Sequence, residues 1–137
     1  MRILAVDYGS VRVGLALSDP TGTIATPLDT LAITSLRDAA RKIVKRAEAE
    51  GAEVIVVGLP INLQGEEGPA AENVHKLIEQ IRRRTQLPIH TVDERLTSRF
   101  AEAAMAEDGL SSRQRRGKAD PIAASLILRA YLDQSNK

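Results

Sequence analysis

The hydrophobic pattern of the first eighteen residues predicts two strands joined by a tight turn. Residues 3–6 form an apolar run typical of a buried strand, and residues 13–17 predict a second strand that folds back on the first. Asp7 lies where the first strand meets the turn. A carboxylate beside an apolar sheet is costly unless a metal, a basic side chain or hydrogen-bond donors satisfy it. Asp7 is therefore either an acceptor for the turn amides or a functional acid, and this stretch alone favours neither role.

The rest of the chain alternates between helical spacing and short apolar runs. The predicted elements are, in order, a short strand at 23–26 that ends at Pro27, a helix at 36–50, a strand at 53–58, a helix at 69–84, a strand at 89–93, a helix from Thr97 or Ser98 to Gly109, and a last helix opened by Asp120-Pro121. Pro27 indicates an edge strand, whereas the β-branched run at 53–58 is typical of a central strand covered on both faces. The pattern predicts an α/β fold with a five-stranded mixed sheet, three antiparallel strands followed by two parallel ones, and helices on its faces.

Composition limits the possible functions. At 137 residues with 43% hydrophobic residues, the chain is expected to form one domain over 1–137. The absence of cysteine excludes disulfides, thiolate zinc sites and a cysteine nucleophile. A net charge of +1 and 2% aromatic residues argue against a globally basic nucleic-acid binder and against an aromatic stacking platform. No apolar run approaches the length of a membrane span and no signal peptide opens the sequence, so a cytoplasmic protein is expected.

Two further acids lie at the ends of predicted elements, as Asp7 does. Glu94 comes at the end of the strand at 89–93, and Asp120 precedes the last helix. Ligands of mixed α/β sheets gather beyond the C-terminal ends of the parallel strands, where Asp7 and Glu94 are expected. Each acid also has an ordinary structural explanation. Asp120 is a good helix N-cap, Glu94 could pair with Arg95, and Asp93 should point to the other side of its strand.

Four motifs make the chain resemble a known family. They are Asp7 to Gly14 (DYGSVRVG), Gly58-Leu59-Pro60, Val92 to Ser98 (VDERLTS) and Lys118 to Ala124 (KADPIAA). In this order, and over essentially the whole chain, they resemble the YqgF family, also called RuvX. The resemblance implies an RNase H-like fold. It also implies a nuclease that matures the 5′ end of pre-16S ribosomal RNA or resolves Holliday junctions.

Carried over residue by residue, the acidic triad of the family falls on Asp7, Glu94 and Asp120. Pro121 departs from the expected residue with a backbone donor, but proline at the first helical position is harmless to the fold. Three carboxylates from separate elements are hard oxygen ligands, as two-metal phosphodiester hydrolysis with Mg²⁺ or Mn²⁺ requires. We therefore expect these three residues to be both the catalytic residues and the metal ligands.

Basic residues near the triad are expected to contact phosphates that flank the scissile bond. The candidates are Arg12, Arg95, Arg115, Arg116 and Lys118. A solvated loop is the alternative explanation for the basic run at 113–118. His75 and His90 have no partner at metal-ligand spacing and are assigned to surface and packing roles.

The leading hypothesis is a metal-dependent endonuclease acting on structured nucleic acid, with pre-rRNA favoured over a four-way DNA junction. A second class is the sugar kinase, actin and chaperone ATPase group, which clasps nucleotide between two such domains, whereas this chain has room for one. A third is a non-catalytic nucleic-acid binding module of the same fold. Ribosome-assembly factors are conceivable partners, and a monomer or weak homodimer is expected. The polar loop at 61–68 is predicted to be mobile and to gate the site.

Overall fold

The computed structural model describes residues 1–97 and 120–135, and this part of the chain forms one sheet with helices on both faces. The strands are β1 (Ile3–Tyr8), β2 (Arg12–Ser18), β3 (Ala25–Ala32), β4 (Val54–Leu59) and β5 (Ile89–Asp93). The helices are α1 (Leu36–Glu50), α2 (Pro69–Arg82) and α3 (Pro121–Ser135), and a single 3₁₀ turn spans Glu94–Thr97. The helix predicted to end at Gly109 and the basic run at 113–118 lie outside the described residues.

The strand order is β3-β2-β1-β4-β5. β2 pairs antiparallel with both β1 and β3, while β4 pairs parallel with both β1 and β5. This is the predicted arrangement of three antiparallel strands followed by two parallel ones. All six residues of β4 are buried, which confirms the prediction of a central, doubly covered strand.

Alternation along the strands divides the core into two layers. Leu4 and Val6 of β1 face α1 and α2, and Ile3 and Ala5 face α3. Asp7 continues the second series, so its side chain is on the face that α3 covers. The helices α1 and α2 form as predicted. Ser35 caps α1 by accepting from the Asp38 N–H, and Gly51 ends the helix with a left-handed φ of 68°.

The last helix buries more of its circumference than the sequence pattern predicted. The spacing of Ile122, Leu126 and Ala130 predicts a single buried stripe on this helix, but Ile122 is only half-buried. Ala124, Ile127 and Leu128 also pack into the core beside Ala130. The pattern could not select one face because α3 is apolar almost all the way round.

The third strand also differs from its prediction, because it continues through Pro27 to Ala32. Its place at the edge of the sheet is confirmed. An edge strand accommodates a residue without an N–H, so proline marks the position of the strand and not its end. The register with β2 shifts between Gly14 and Ala16. None of the described helices is long and apolar enough to cross a membrane.

Candidate active site

Three acids from distant parts of the chain come together at one edge of the sheet. Asp7 lies near the end of β1, Glu94 follows β5 directly, and Asp120 immediately precedes α3. The backbone N–H of Asp120 donates to Oδ2 of Asp7 at 3.2 Å across 113 residues of sequence. Glu94 is close enough for its charge to raise the pKa of Asp7. The acids lie at the end of the sheet where the parallel strands β1, β4 and β5 have their C-termini, as predicted.

Two glycines flank Asp7 across the sheet and make this convergence possible. Gly14 is the partner of Asp7 on β2, and Gly58 follows Val57 of β4, the partner of Val6. A Cβ atom at position 14 would lie 2.2 Å from the carbonyl oxygen of Asp120. One at position 58 would lie 2.8 Å from Oε1 of Glu94 and 2.5 Å from Cδ1 of Ile127. The glycines therefore provide the space that the other two acids occupy.

The electrostatic setting of Asp7 disfavours its charged form. Burial raises the pKa of Asp7 to about 7, the negative charges of Glu94 and Asp120 add to the rise, and the Asp120 N–H partly offsets it. Burial also raises the pKa of Glu94, and the charge of Asp93 raises it further. Acids arranged in this way gain stability from a proton or from a cation between them.

Asp120 caps the last helix, as one of its two sequence-based explanations predicts, and its backbone also contacts Asp7. Its Oδ1 accepts from the Ala123 N–H at 2.7 Å, and its carbonyl accepts from the Ala124 N–H at 3.1 Å, which is the geometry of an N-cap. Its own N–H meanwhile donates to Asp7. Pro121 occupies the first position of α3, where a missing N–H leaves no helical hydrogen bond unmade.

Asp93 holds Arg95 beside the site. Asp93 Oδ2 lies 2.6 Å from Nη2 of Arg95 and 2.9 Å from its Nε, and Oδ1 accepts from the Arg95 backbone N–H at 2.9 Å. The Arg95 side chain remains 41% exposed. These hydrogen bonds lower the pKa of Asp93 and fix the guanidinium against the Asp93 carboxylate.

The other predicted phosphate contacts are only partly within the described chain. Arg12 is exposed at the start of β2 and, two residues before Gly14, belongs to the face that carries Asp7. Arg115, Arg116 and Lys118 lie outside the described residues. Sequence reasoning missed the role of Gly58. The available signal was a glycine closing the β-branched run of β4.

The donor chemistry of the site suits a hard divalent cation, because Asp7, Glu94 and Asp120 offer carboxylate oxygens. Across 1–97 and 120–135, however, no three Asp, Glu, His or Cys side chains are arranged so that they could hold a metal ion.

Known proteins match this chain over nearly its whole length. A family profile described as "RuvX: Holliday junction resolvase" matches residues 1–134. A protein of Endomicrobium trichonymphae named "Putative pre-16S rRNA nuclease" is 42% identical over 133 residues, which cover 96% of this chain and 95% of that protein.

Two resolvase structures share the fold. RuvC of Thermus thermophilus, in complex with a Holliday junction substrate, aligns with a TM-score of 0.65 at 14% identity, over 98% of this chain and 96% of RuvC. The fowlpox virus resolvase in complex with Holliday junction DNA aligns with a TM-score of 0.55 at 14% identity over the full length of both chains. At this identity the likeness extends to the RNase H-like fold alone. The profile match and the 42% identical relative show that this chain belongs to the RuvX (YqgF) family.

Proposed function

We propose that this protein is a metal-dependent endonuclease that hydrolyses a phosphodiester bond during 5′-end maturation of pre-16S ribosomal RNA. The observation that carries the proposal is the convergence of Asp7, Glu94 and Asp120 at the strand ends, where two glycines admit them. The name of the Endomicrobium relative supports the choice of an RNA substrate.

In this proposal Asp7, Glu94 and Asp120 would hold Mg²⁺ or Mn²⁺. Such a bound cation would supply activation of the attacking water and stabilisation of the leaving oxygen. The protein positions the acids. The Asp120 N–H orients Oδ2 of Asp7, and the N-cap hydrogen bond to Ala123 fixes the Asp120 carboxylate. Deprotonation of Asp7, whose pKa is raised to about 7, would accompany metal binding, so the affinity for metal should rise with pH up to that value.

Arg12 and Arg95 are proposed to hold the phosphates on either side of the cut. Arg95 is fixed by Asp93 while remaining exposed, which lowers the entropy cost of binding an anion. Arg115, Arg116 and Lys118 are proposed to extend the same contact. With a net charge of +1 the molecule has little overall attraction for nucleic acid, so these local groups must supply it.

Resolution of a four-way DNA junction is the second candidate, favoured by the description of the matching family profile. A binding module without catalysis is the third. We place the RNA reaction in the cytoplasm, with ribosome-assembly factors as conceivable partners and a monomer or weak homodimer as the working form.

The decisive experiment is a cleavage assay with purified protein and either Mn²⁺ or Mg²⁺. Labelled pre-16S leader RNA, single strands, duplexes and four-way DNA junctions would be compared. We expect metal-dependent cleavage of the RNA leader, and a loss of about 100-fold or more in Asp7→Asn. Asp29→Asn is the matched control, because Asp29 is an exposed carboxylate on β3 paired with Arg46 and should leave the rate unchanged. Junction cleavage alone would favour the second candidate, and binding without cleavage the third.

A further inference from the structure

The turn that follows β4 lies against the side chain of Arg95. A Cβ atom built on Gly65 of this turn would lie 3.5 Å from Nη1 of Arg95, which is van der Waals contact. The other edge of the same guanidinium is held by Asp93, whose Oδ2 lies 2.9 Å from Nε and 2.6 Å from Nη2. Arg95 is therefore bounded by a carboxylate on one edge and by the backbone of the turn on the other.

The shape of this turn depends on Asn62. Oδ1 of Asn62 accepts from the backbone N–H groups of Gln64 at 3.0 Å and Glu66 at 2.9 Å. The Asn62 backbone N–H donates to the carbonyl of Glu66 at 3.0 Å, and the Asn62 carbonyl accepts from the Gly65 N–H at 2.9 Å. One residue thus takes part in four hydrogen bonds that close the turn, two of them through its side chain.

Two contacts anchor the base of the turn to the rest of the fold. Ile61 packs against the core that α1 and α2 cover, and it forms an isolated antiparallel bridge with Glu67. Oε1 of Glu67 lies 2.5 Å from Nε2 of His75 on α2. Because both ends are anchored, the position of Gly65 depends on the hydrogen bonds within the turn. A turn closed in this way can also move as a unit, and the gating motion predicted for it stays a prediction.

Gly65 suits the contact with Arg95 in two ways. Its φ of 82° lies in the left-handed region, which glycine adopts without strain. It also has no side chain, so the turn approaches the guanidinium without covering it, and the Arg95 side chain stays 41% exposed. A guanidinium whose plane is fixed in advance loses less entropy when it binds an anion.

We propose that Asn62 is a positioning residue for the nuclease reaction. The turn that it closes holds the Arg95 guanidinium against Asp93, in the orientation that binds the phosphate next to the cut. This inference rests on the proposed function and deepens it, because it traces the phosphate contact to a residue that touches no substrate and acts through Arg95. The competing explanation is that Asn62 only stabilises an exposed turn, in which case its loss leaves substrate binding unchanged.

The test is a double-substitution cycle between Asn62→Ala and Arg95→Ala, using the purified full chain, Mn²⁺ and a pre-16S leader oligonucleotide. We expect Asn62→Ala to raise KM by about threefold to tenfold and to leave kcat within about twofold, because the contact binds ground state and transition state alike. Arg95→Ala should raise KM by about tenfold or more, the effect of losing a charge-assisted contact. In the Arg95→Ala protein, Asn62→Ala should have no further effect on KM.

Two further variants control for folding and for the loss of an asparagine. Asn73→Ala removes an exposed asparagine from α2 and should leave KM unchanged. Gly65→Ala strains the turn without removing a hydrogen bond, so it should raise KM as Asn62→Ala does, and it replaces Asn62→Ala in the cycle if that protein does not fold.

The outcomes separate this inference from the proposed function. If the wild type cleaves but the effects of the turn variant and Arg95→Ala on KM are additive, the inference is overturned. An unchanged KM in both turn variants overturns it as well. If the wild type cleaves no nucleic acid with metal present, the proposed function itself fails, and the inference fails with it.

Discussion

At the scale of single residues, Asp7 lies in an environment unlike that of an ordinary carboxylate. It is an acid at the end of a buried strand, with two more acids nearby. Its pKa is raised from 3.8 to about 7, so the native state retains the Asp7 proton where the unfolded chain has lost it. The folded protein is consequently less stable when Asp7 is charged. A bound cation would offset this loss of stability, as the proposed role of Asp7 as a metal ligand requires.

The raised pKa of Asp7 predicts how the stability of the protein depends on pH. The native state binds more protons than the unfolded state between about pH 4 and pH 7, so stability attributable to Asp7 is lost as pH rises through this window. Without divalent metal, Asp7→Asn should stabilise the protein by about 1 to 3 kcal/mol near pH 8 and by much less near pH 4. Urea unfolding with a chelator present measures this. An equal stabilisation at both pH values, or one reproduced by Asp29→Asn, would contradict it.

Residues near the site differ in how far the sequence predicted them. The sequence predicts the three acids Asp7, Glu94 and Asp120 from their places at the ends of elements and from the family resemblance. The structure brings the three together. The role of Gly58 was missed, because it depends on which side chain reaches it from another element.

At the scale of elements, the position of α3 against the sheet decides whether the site exists. The backbone at the start of α3 occupies the space above Gly14, and Ile127 and Glu94 occupy the space above Gly58. The pattern of apolar residues within α3 does not predict this packing, since these residues lie on all sides of the helix. The strands carry the sequence signal of this contact, because Gly14 and Gly58 stand where β-branched residues would otherwise be favoured.

Alanine at these two glycines should have distinguishable effects. Gly14→Ala places Cβ 2.2 Å from a backbone carbonyl of Asp120, so the start of α3 must shift, and a loss of about 2 to 3 kcal/mol of stability is expected together with activity. Gly58→Ala places Cβ 2.8 Å from Oε1 of Glu94 and 2.5 Å from Cδ1 of the buried Ile127, but it meets no backbone atom within that distance. It should cost about 1 to 2 kcal/mol and displace Glu94, so that activity falls further than stability does.

Thermal unfolding and cleavage rates for both variants check these expectations. Gly68→Ala is the matched control, since a Cβ at that position meets nothing within 4 Å and its φ is −113°. A Gly14→Ala protein as active as the wild type would show that Asp120 need not approach Asp7.

The strand predictions show what periodicity can establish. β4 and its central place followed from an unbroken β-branched run, and the edge position of β3 followed from Pro27. The extent of β3 did not, because an edge strand is defined by pairing with its neighbour and not by its own pattern. The boundaries of α1 were predictable because Ser35 and Gly51 cap it, and the start of α2 was predictable from Pro69. The end of α2 was not, because the helix stops at Arg82 without a glycine cap, two residues before its predicted end.

At the scale of the whole molecule, the sheet acts as a scaffold whose two ends differ. One end carries the acids and Arg95, and the other carries the loop at 19–24 and the chain start. A cation that bridges the acids would bind the native state and not the unfolded chain, so it should stabilise the entire domain.

Millimolar Mn²⁺ is accordingly expected to raise the melting temperature of the wild type by about 2 to 8 °C, as binding energies of roughly 1 kcal/mol imply for a domain of this size. The shift should be much smaller in Asp7→Asn and unaltered in Asp29→Asn. Differential scanning fluorimetry with and without chelator is sufficient. An equal shift in all three proteins would place the cation elsewhere.

The hydrogen bond from Asp120 to Asp7 has a consequence for the time at which the protein becomes active. Its two ends are 113 residues apart, and all five strands are synthesised before the helix that completes the site. Until α3 has been synthesised, one face of the sheet lacks the helix that covers it, and Asp7 lacks the Asp120 backbone that fixes it. On the proposed function, a partly translated nuclease beside ribosomal RNA stays inactive until translation has produced α3 and the helix has docked.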